Sequence, residues 1–180
     1  MSAASLQASG LAILTHDSPI LDVAREVSAL IRLHGLNAAV IGGVAVVLHG
    51  HVRTTVDVDL FTADAIRLAQ VLRDAGFTWD AAHKQFTKGD VPVHLVTAEH
   101  VPIPPRRFEE LQGIRTVSLA DLVNMKLRSG SSNVLRAQDM ADVIGLIRIH
   151  ALTGAFTPSI DMDLRSAFRK LVQALSKERR

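Results

Sequence analysis

A chain of 180 residues that is 48% hydrophobic and 21% charged, with a formal net charge of +2, has the balance of one globular domain with a sizeable core. It holds no cysteine, which excludes disulfides and thiolate metal sites and suits a reducing, cytoplasmic compartment. Tyrosine is absent and aromatics make up 4%, which argues against a stacking platform for single-stranded nucleic acid; no basic leader opens the chain and no apolar run nears membrane-spanning length, so no membrane partner is expected.

Residues 1–17 read as an N-terminal extension, expected to be partly disordered. Ser18-Pro19 is a helix start, with Ser as N-cap and Pro at the first helical position, and helical spacing then runs from Ile20 to Gly35. Ala38 to Ile41 is a buried strand, and the Gly42-Gly43 pair opens a short helix. Ala63 to Ala75 forms an amphipathic helix stopped by Gly76. Short strands follow at Phe77–Trp79, Lys84–Thr87 and Val91–Val96, the last two joined at Lys88-Gly89-Asp90. Val101 to Pro105 is a proline-rich connector, Ile114 to Val117 a further strand, and Ser118 caps the next helix. Ser129 to Asn133 is read as a Gly/Ser loop, followed by a helix through Asp139 to His150 and a last one from about Ser159. The order predicts an α+β fold: a mixed β-sheet flanked by helices over residues 18–117, and a helical subdomain over 118–180 packed upon it.

Val40 to Phe61 carries the chemistry. Asp57 and Asp59 alternate with Val56, Val58 and Leu60, so a strand here points both carboxylates to one face. Two adjacent acids repel each other unless a divalent cation lies between them, and Mg²⁺ takes carboxylates together with substrate phosphates. Gly42 and Gly43, between strand and helix, offer backbone N–H groups where phosphate binds. The two halves describe a site for a nucleoside triphosphate (NTP) and Mg²⁺ or Mn²⁺. The alternative is a tight turn beside an exposed edge strand with solvated acids.

Gly-Gly, a short helix and an Asp-hydrophobic-Asp strand resemble the signature of the polymerase β-like nucleotidyltransferases. The stretches GGVAVVLHG and RTTVDVDL are similar to the abortive-infection type IV toxin branch and its uncharacterised relatives. A second block, Leu119 to Leu127 with Lys126 and then Gln138 to Val143 with Asp139 and Asp142, resembles downstream segments of the same proteins. The resemblance implies that Asp57 and Asp59 bind the metal bridging the triphosphate and that Lys126 contacts the phosphates. It also implies transfer of a nucleoside monophosphate to a hydroxyl acceptor, with RNA or tRNA as acceptor and a cognate antitoxin as partner.

The remaining candidates each have a plainer role. Arg53 and Thr54, with Thr55, precede the acidic strand within reach of phosphate oxygens, or Arg53 pairs with Asp57 or Asp59. Lys126 otherwise snorkels to the surface. Asp139 and Asp142 share a helix face, either favouring the helix dipole or orienting substrate or Lys126. His49 and His51 have local hydrogen bonding as their default. His94 stands in Val91-Pro-Val-His-Leu-Val96, where many members of the superfamily carry a third carboxylate. A neutral imidazole accepts a proton near neutral pH, so base function is retained, but it is a poorer ligand for Mg²⁺. Two alternatives follow: a small-molecule, antibiotic-type nucleotidyltransferase, and a catalytically weak nucleotide-binding regulatory domain. Residues 101–180 carry 13 basic and 8 acidic side chains; a continuous basic groove favours RNA, and an acidic lip favours cationic drugs.

Overall fold

The computed structural model describes residues 18–178, so the N-terminal extension lies outside the described residues. Helix α1 (Pro19–Leu33) begins where Pro fixes a helical φ. Ser18 is the N-cap residue, as the sequence predicts, and its carbonyl accepts from Asp22 N–H at 3.0 Å, although its hydroxyl makes no capping bond. Strand β1 (Ala38–Ile41) is buried throughout and runs directly into α2 (Gly42–Leu48). Then come β2 (Val58–Thr62), α3 (Ala65–Asp74), β3 (Thr78–Asp80), β4 (Gln85–Lys88) and β5 (Val91–Val96). After the proline-rich connector follow β6 (Phe108–Leu111), β7 (Ile114–Val117), α4 (Leu119–Ser132), α5 (Ala137–Ile149) and α6 (Arg165–Glu178).

The strands form one mixed seven-stranded sheet in the order β3-β4-β5-β2-β1-β7-β6. The central strand β2 pairs antiparallel with β1 and parallel with β5, which sets Asp59 opposite both Ile41 and His94. The alternation along β1 divides the core between two faces. Ala38 and Val40 join Val27, Ile31, Leu68 and Leu72 beneath α1 and α3. Ala39 and Ile41 join Leu122, Leu127, Val143, Leu146 and Phe168 beneath α4 to α6. Helices thus flank a mixed sheet, as the sequence predicts.

Three local readings are corrected. Ser129 to Asn133 is not a loop, because α4 continues through Ser132. Gly130, lacking a Cβ, lets the chain at Met140 come close (a Cβ would stand 3.0 Å from its backbone nitrogen), and Ser129 hydrogen-bonds Asp139. The last helix starts at Arg165 rather than Ser159. Asn124 donates to the Ser159 carbonyl and accepts from Asp161 N–H, holding the backbone at Ile160 extended. Strand β6 was not foreseen; its outward Glu109 and Glu110 hide the pattern, and only Gln112-Gly113, both at positive φ, mark the hairpin turn.

Candidate active site

Asp57 lies at the bend entering β2, and Asp59 lies within the strand. Val58 and Leu60 are fully buried in the α1/α3 core, so both carboxylates project from the other face, together with Phe61 two residues on. There they meet His94 from the paired position on β5. Its Nδ1 lies 3.4 Å from Asp57 Oδ2 and 3.3 Å from Asp59 Oδ1. Its Nε2 stands 2.8 Å from Gln85 Oε1 on β4. Thr55, buried, donates from its hydroxyl to Asp57 Oδ1 at 3.2 Å.

Gly42 closes this cluster. Its φ of +68° is one that L side chains rarely adopt, and a Cβ there would be driven into the Asp59 carboxylate. Gly43 is equally constrained by Thr55, whose hydroxyl occupies the space a Cβ would need. The Gly-Gly pair is therefore what lets β1 and α2 lie against the acidic strand. Burial pushes the Asp59 carboxyl up, and the Asp57 charge adds to that; His94 and Lys126 oppose without cancelling it. The site thus holds negative charge at a cost, the condition that a bound cation relieves. Asp57, Asp59 and His94 together form a three-donor group suited to a metal ion.

A cleft of about 620 Å³ opens beside Gly42 and Asp59. One wall is apolar, from Leu95 and Val96 through Val101, Pro102, Ile103, Pro104 and Pro105. The lining also takes in α4, the turn before α5 and the start of α5, with Lys126, Arg136 and Asp139. Lys126 borders the cleft but is already engaged, with Nζ 2.6 Å from Asp139 and 2.8 Å from Asp142. Asp142, wholly buried, also takes Arg53 at 3.0 Å. Burial pushes the Asp139 carboxyl up, but hydrogen bonds from Lys126 and Ser129 outweigh it and leave the group below the usual range. Arg53 therefore pairs with Asp142 rather than with Asp57 or Asp59, and Asp142 orients cations instead of reaching the cleft.

Of the residues singled out in sequence, Asp57, Asp59, His94, Gly42 and Gly43 converge at one point, and Arg53, Lys126, Asp139 and Asp142 form a network behind it. Thr54 is exposed and only its carbonyl engages Arg53; the inward residue is Thr55. Gln85 was missed. Its signal was the register of the β4–β5 hairpin, where Phe86 faces Val93 and the next position outward brings Gln85 to His94. His49 and His51 are structural: His49 Nε2 bonds the Val117 carbonyl at 2.9 Å, and the His51 ring fills the space above Gly145.

No protein-family model and no curated protein sequence matches the chain. Solved structures do. A nucleotidyltransferase-like antigenic protein from Paracoccidioides brasiliensis superposes with a TM-score of 0.56 at 19% identity, over 85% of this chain and 87% of that one. The chain has the nucleotidyltransferase fold. ANT(2'')-Ia in complex with adenylyl-2''-tobramycin gives 0.54 at 18% identity, over 80% and 93% of the two chains. The solution structure of the antibiotic-resistance factor ANT(2'')-Ia gives 0.53 at 16%, over 85% and 92%. Within this nucleotidyltransferase fold, no described helix is long and apolar enough to cross a membrane.

Proposed function

We propose that the protein transfers a nucleoside monophosphate from an NTP to a hydroxyl of a small acceptor, with a divalent cation held by Asp57, Asp59 and His94. The carrying observation is the convergence of these three side chains, with Asp59 packed against Gly42 and lining the cleft. When bound, the cation neutralises phosphate charge and makes the α-phosphorus more electrophilic. The acceptor oxygen bonds to that phosphorus, the bond to the bridging oxygen breaks, and pyrophosphate leaves. Asp59, the one of the three that lines the cleft, is placed to take the hydroxyl proton on the oxygen not used for the cation. Lys126, fixed by Asp139 and Asp142, is the lysine lining the cleft and is the group we assign to the leaving phosphates.

The lining supports a small acceptor. A cleft of about 620 Å³ is the size of a small-molecule site. Several of its charges are paired: Arg106 and Arg128 both bind Asp161, at 2.8 and 3.0 Å, and Lys126 binds Asp139. That arrangement is neither a continuous basic groove nor an acidic lip. An RNA or tRNA acceptor, with a toxin role and an antitoxin partner, is the second reading; it rests on the basic excess of residues 101–180. Cytoplasmic placement belongs with either reading.

The test is calorimetry of each ribonucleoside triphosphate with Mg²⁺ or Mn²⁺ on wild type and Asp57→Ala, followed by pyrophosphate release over small hydroxylated acceptors and tRNA. Binding that needs both metal and Asp57, with release on a small acceptor, supports the first reading. Release only with tRNA favours the second, and binding without release marks a regulatory nucleotide-binding domain. Absence of any nucleotide binding sinks all three.

A further inference from the structure

We infer that His94 is itself a metal ligand through Nδ1, oriented by Gln85, and that the site selects a first-row transition-metal ion over Mg²⁺. The inference rests on the cleft being a nucleotidyltransferase site, and it concerns the cation rather than the acceptor.

The side-chain amide oxygen of Gln85, 2.8 Å from His94 Nε2, only accepts, so the ring carries its proton on Nε2. Nδ1 then faces the two carboxylate oxygens of Asp57 and Asp59. A charge-assisted bond from Nδ1 to either oxygen would measure about 2.7–2.9 Å. The observed separations are 3.3 and 3.4 Å. Two donors each about 2.1 Å from one cation stand roughly 3.0 Å apart at a right angle and about 3.4 Å apart at the tetrahedral angle. The spacing is that of ligands sharing an ion. A ligating imidazole that donates its other N–H to a fixed acceptor is also the usual support for a metal-bound histidine.

The identity of the ion follows from the donor set. Mg²⁺ takes oxygen ligands in near-ideal octahedral geometry and gains little from an imidazole. First-row transition ions gain from a nitrogen donor. Replacing an all-carboxylate set by Asp57, Asp59 and His94 shifts preference towards them and lowers the negative charge of the site by one.

The experiment is electron paramagnetic resonance of Mn²⁺ on the full chain, alone and with a non-hydrolysable triphosphate, with Mg²⁺ as competitor. Wild type should bind Mn²⁺ with the ¹⁴N modulation of a directly coordinated imidazole, and resist Mg²⁺ except in large excess. His94→Asp should keep Mn²⁺, lose the nitrogen signal and let Mg²⁺ compete at least about tenfold better. Gln85→Leu should keep the nitrogen signal while weakening Mn²⁺ by about tenfold. Mn²⁺ bound by wild type without nitrogen modulation, or an unchanged Mg²⁺/Mn²⁺ ratio in His94→Asp, overturns the inference and leaves the proposed reaction standing. No Mn²⁺ bound under either condition overturns both.

Discussion

Gly42 has two independent reasons to be glycine: its φ of +68° and the Asp59 carboxylate lying where a Cβ would go. Gly42→Ala therefore meets about 1–2 kcal/mol of backbone strain and also displaces the Asp59 carboxylate, the proposed metal ligand. Triphosphate binding should weaken by more than about tenfold, read by calorimetry, with a Tm lower by several degrees. Asp59 behaves in the opposite sense. Its folded carboxyl is pushed above the ordinary value by burial and by Asp57, so the native state holds the proton more tightly than the unfolded chain. The metal-free protein should therefore gain stability from this group as pH falls through the raised value, and lose it as pH rises. Asp59→Asn removes the half-buried charge: with chelator at neutral pH it should melt no lower than wild type, while metal-dependent triphosphate binding disappears. A variant that melts well below wild type under those conditions would make Asp59 a structural residue.

At the level of elements, α4 and α5 are joined by Lys126, Asp139, Asp142 and Arg53. The lysine was legible in sequence as a candidate, and Asp139 and Asp142 as its partners in one of two readings; the place of Arg53 beside Asp142 was not. Residues 13 and 16 positions away become neighbours only because Gly130 lets the chain at Met140 pack close. Lys126→Met leaves Asp139 and Asp142 with one cation fewer, and breaking a buried pair in this way costs about 3–5 kcal/mol. Thermal or urea unfolding should show that loss even without ligand. The pH sign is set by Asp139, whose carboxyl is depressed in the fold despite burial because Lys126 and Ser129 bond its ionised form. Its contribution is present above the unfolded value and is lost as pH falls through the folded one. Asp139→Asn should therefore be less stable at neutral pH and should lose less of its remaining stability on acidification below the usual carboxylate range.

For the whole molecule, β1 supplies both cores at once, with Ala38 and Val40 to one face and Ala39 and Ile41 to the other. Dividing the chain at 117/118 marks a change of composition; we propose that it is not a boundary between independently stable parts. Trp79, the single tryptophan, packs on Phe86 with ring centroids 5.0 Å apart, remote from α4 to α6. Its fluorescence and far-UV circular dichroism should give one urea midpoint, and a chain ending at Val117 should fail to fold cooperatively because it bares Ala39, Ile41 and Phe61. Two separated midpoints would show that the halves unfold independently. The sequence by itself determined the α+β class, the strand carrying Asp59 with Asp57 at its entry, and the glycine turn, because period-two alternation and the steric freedom of glycine are local properties. Only the tertiary structure decided that Gln85 holds His94, that Arg53 serves Asp142 and that Ser129 to Ser132 is helical. Those outcomes depend on hairpin register and helix approach, which bring distant residues within hydrogen-bonding reach and leave no periodic trace along the chain.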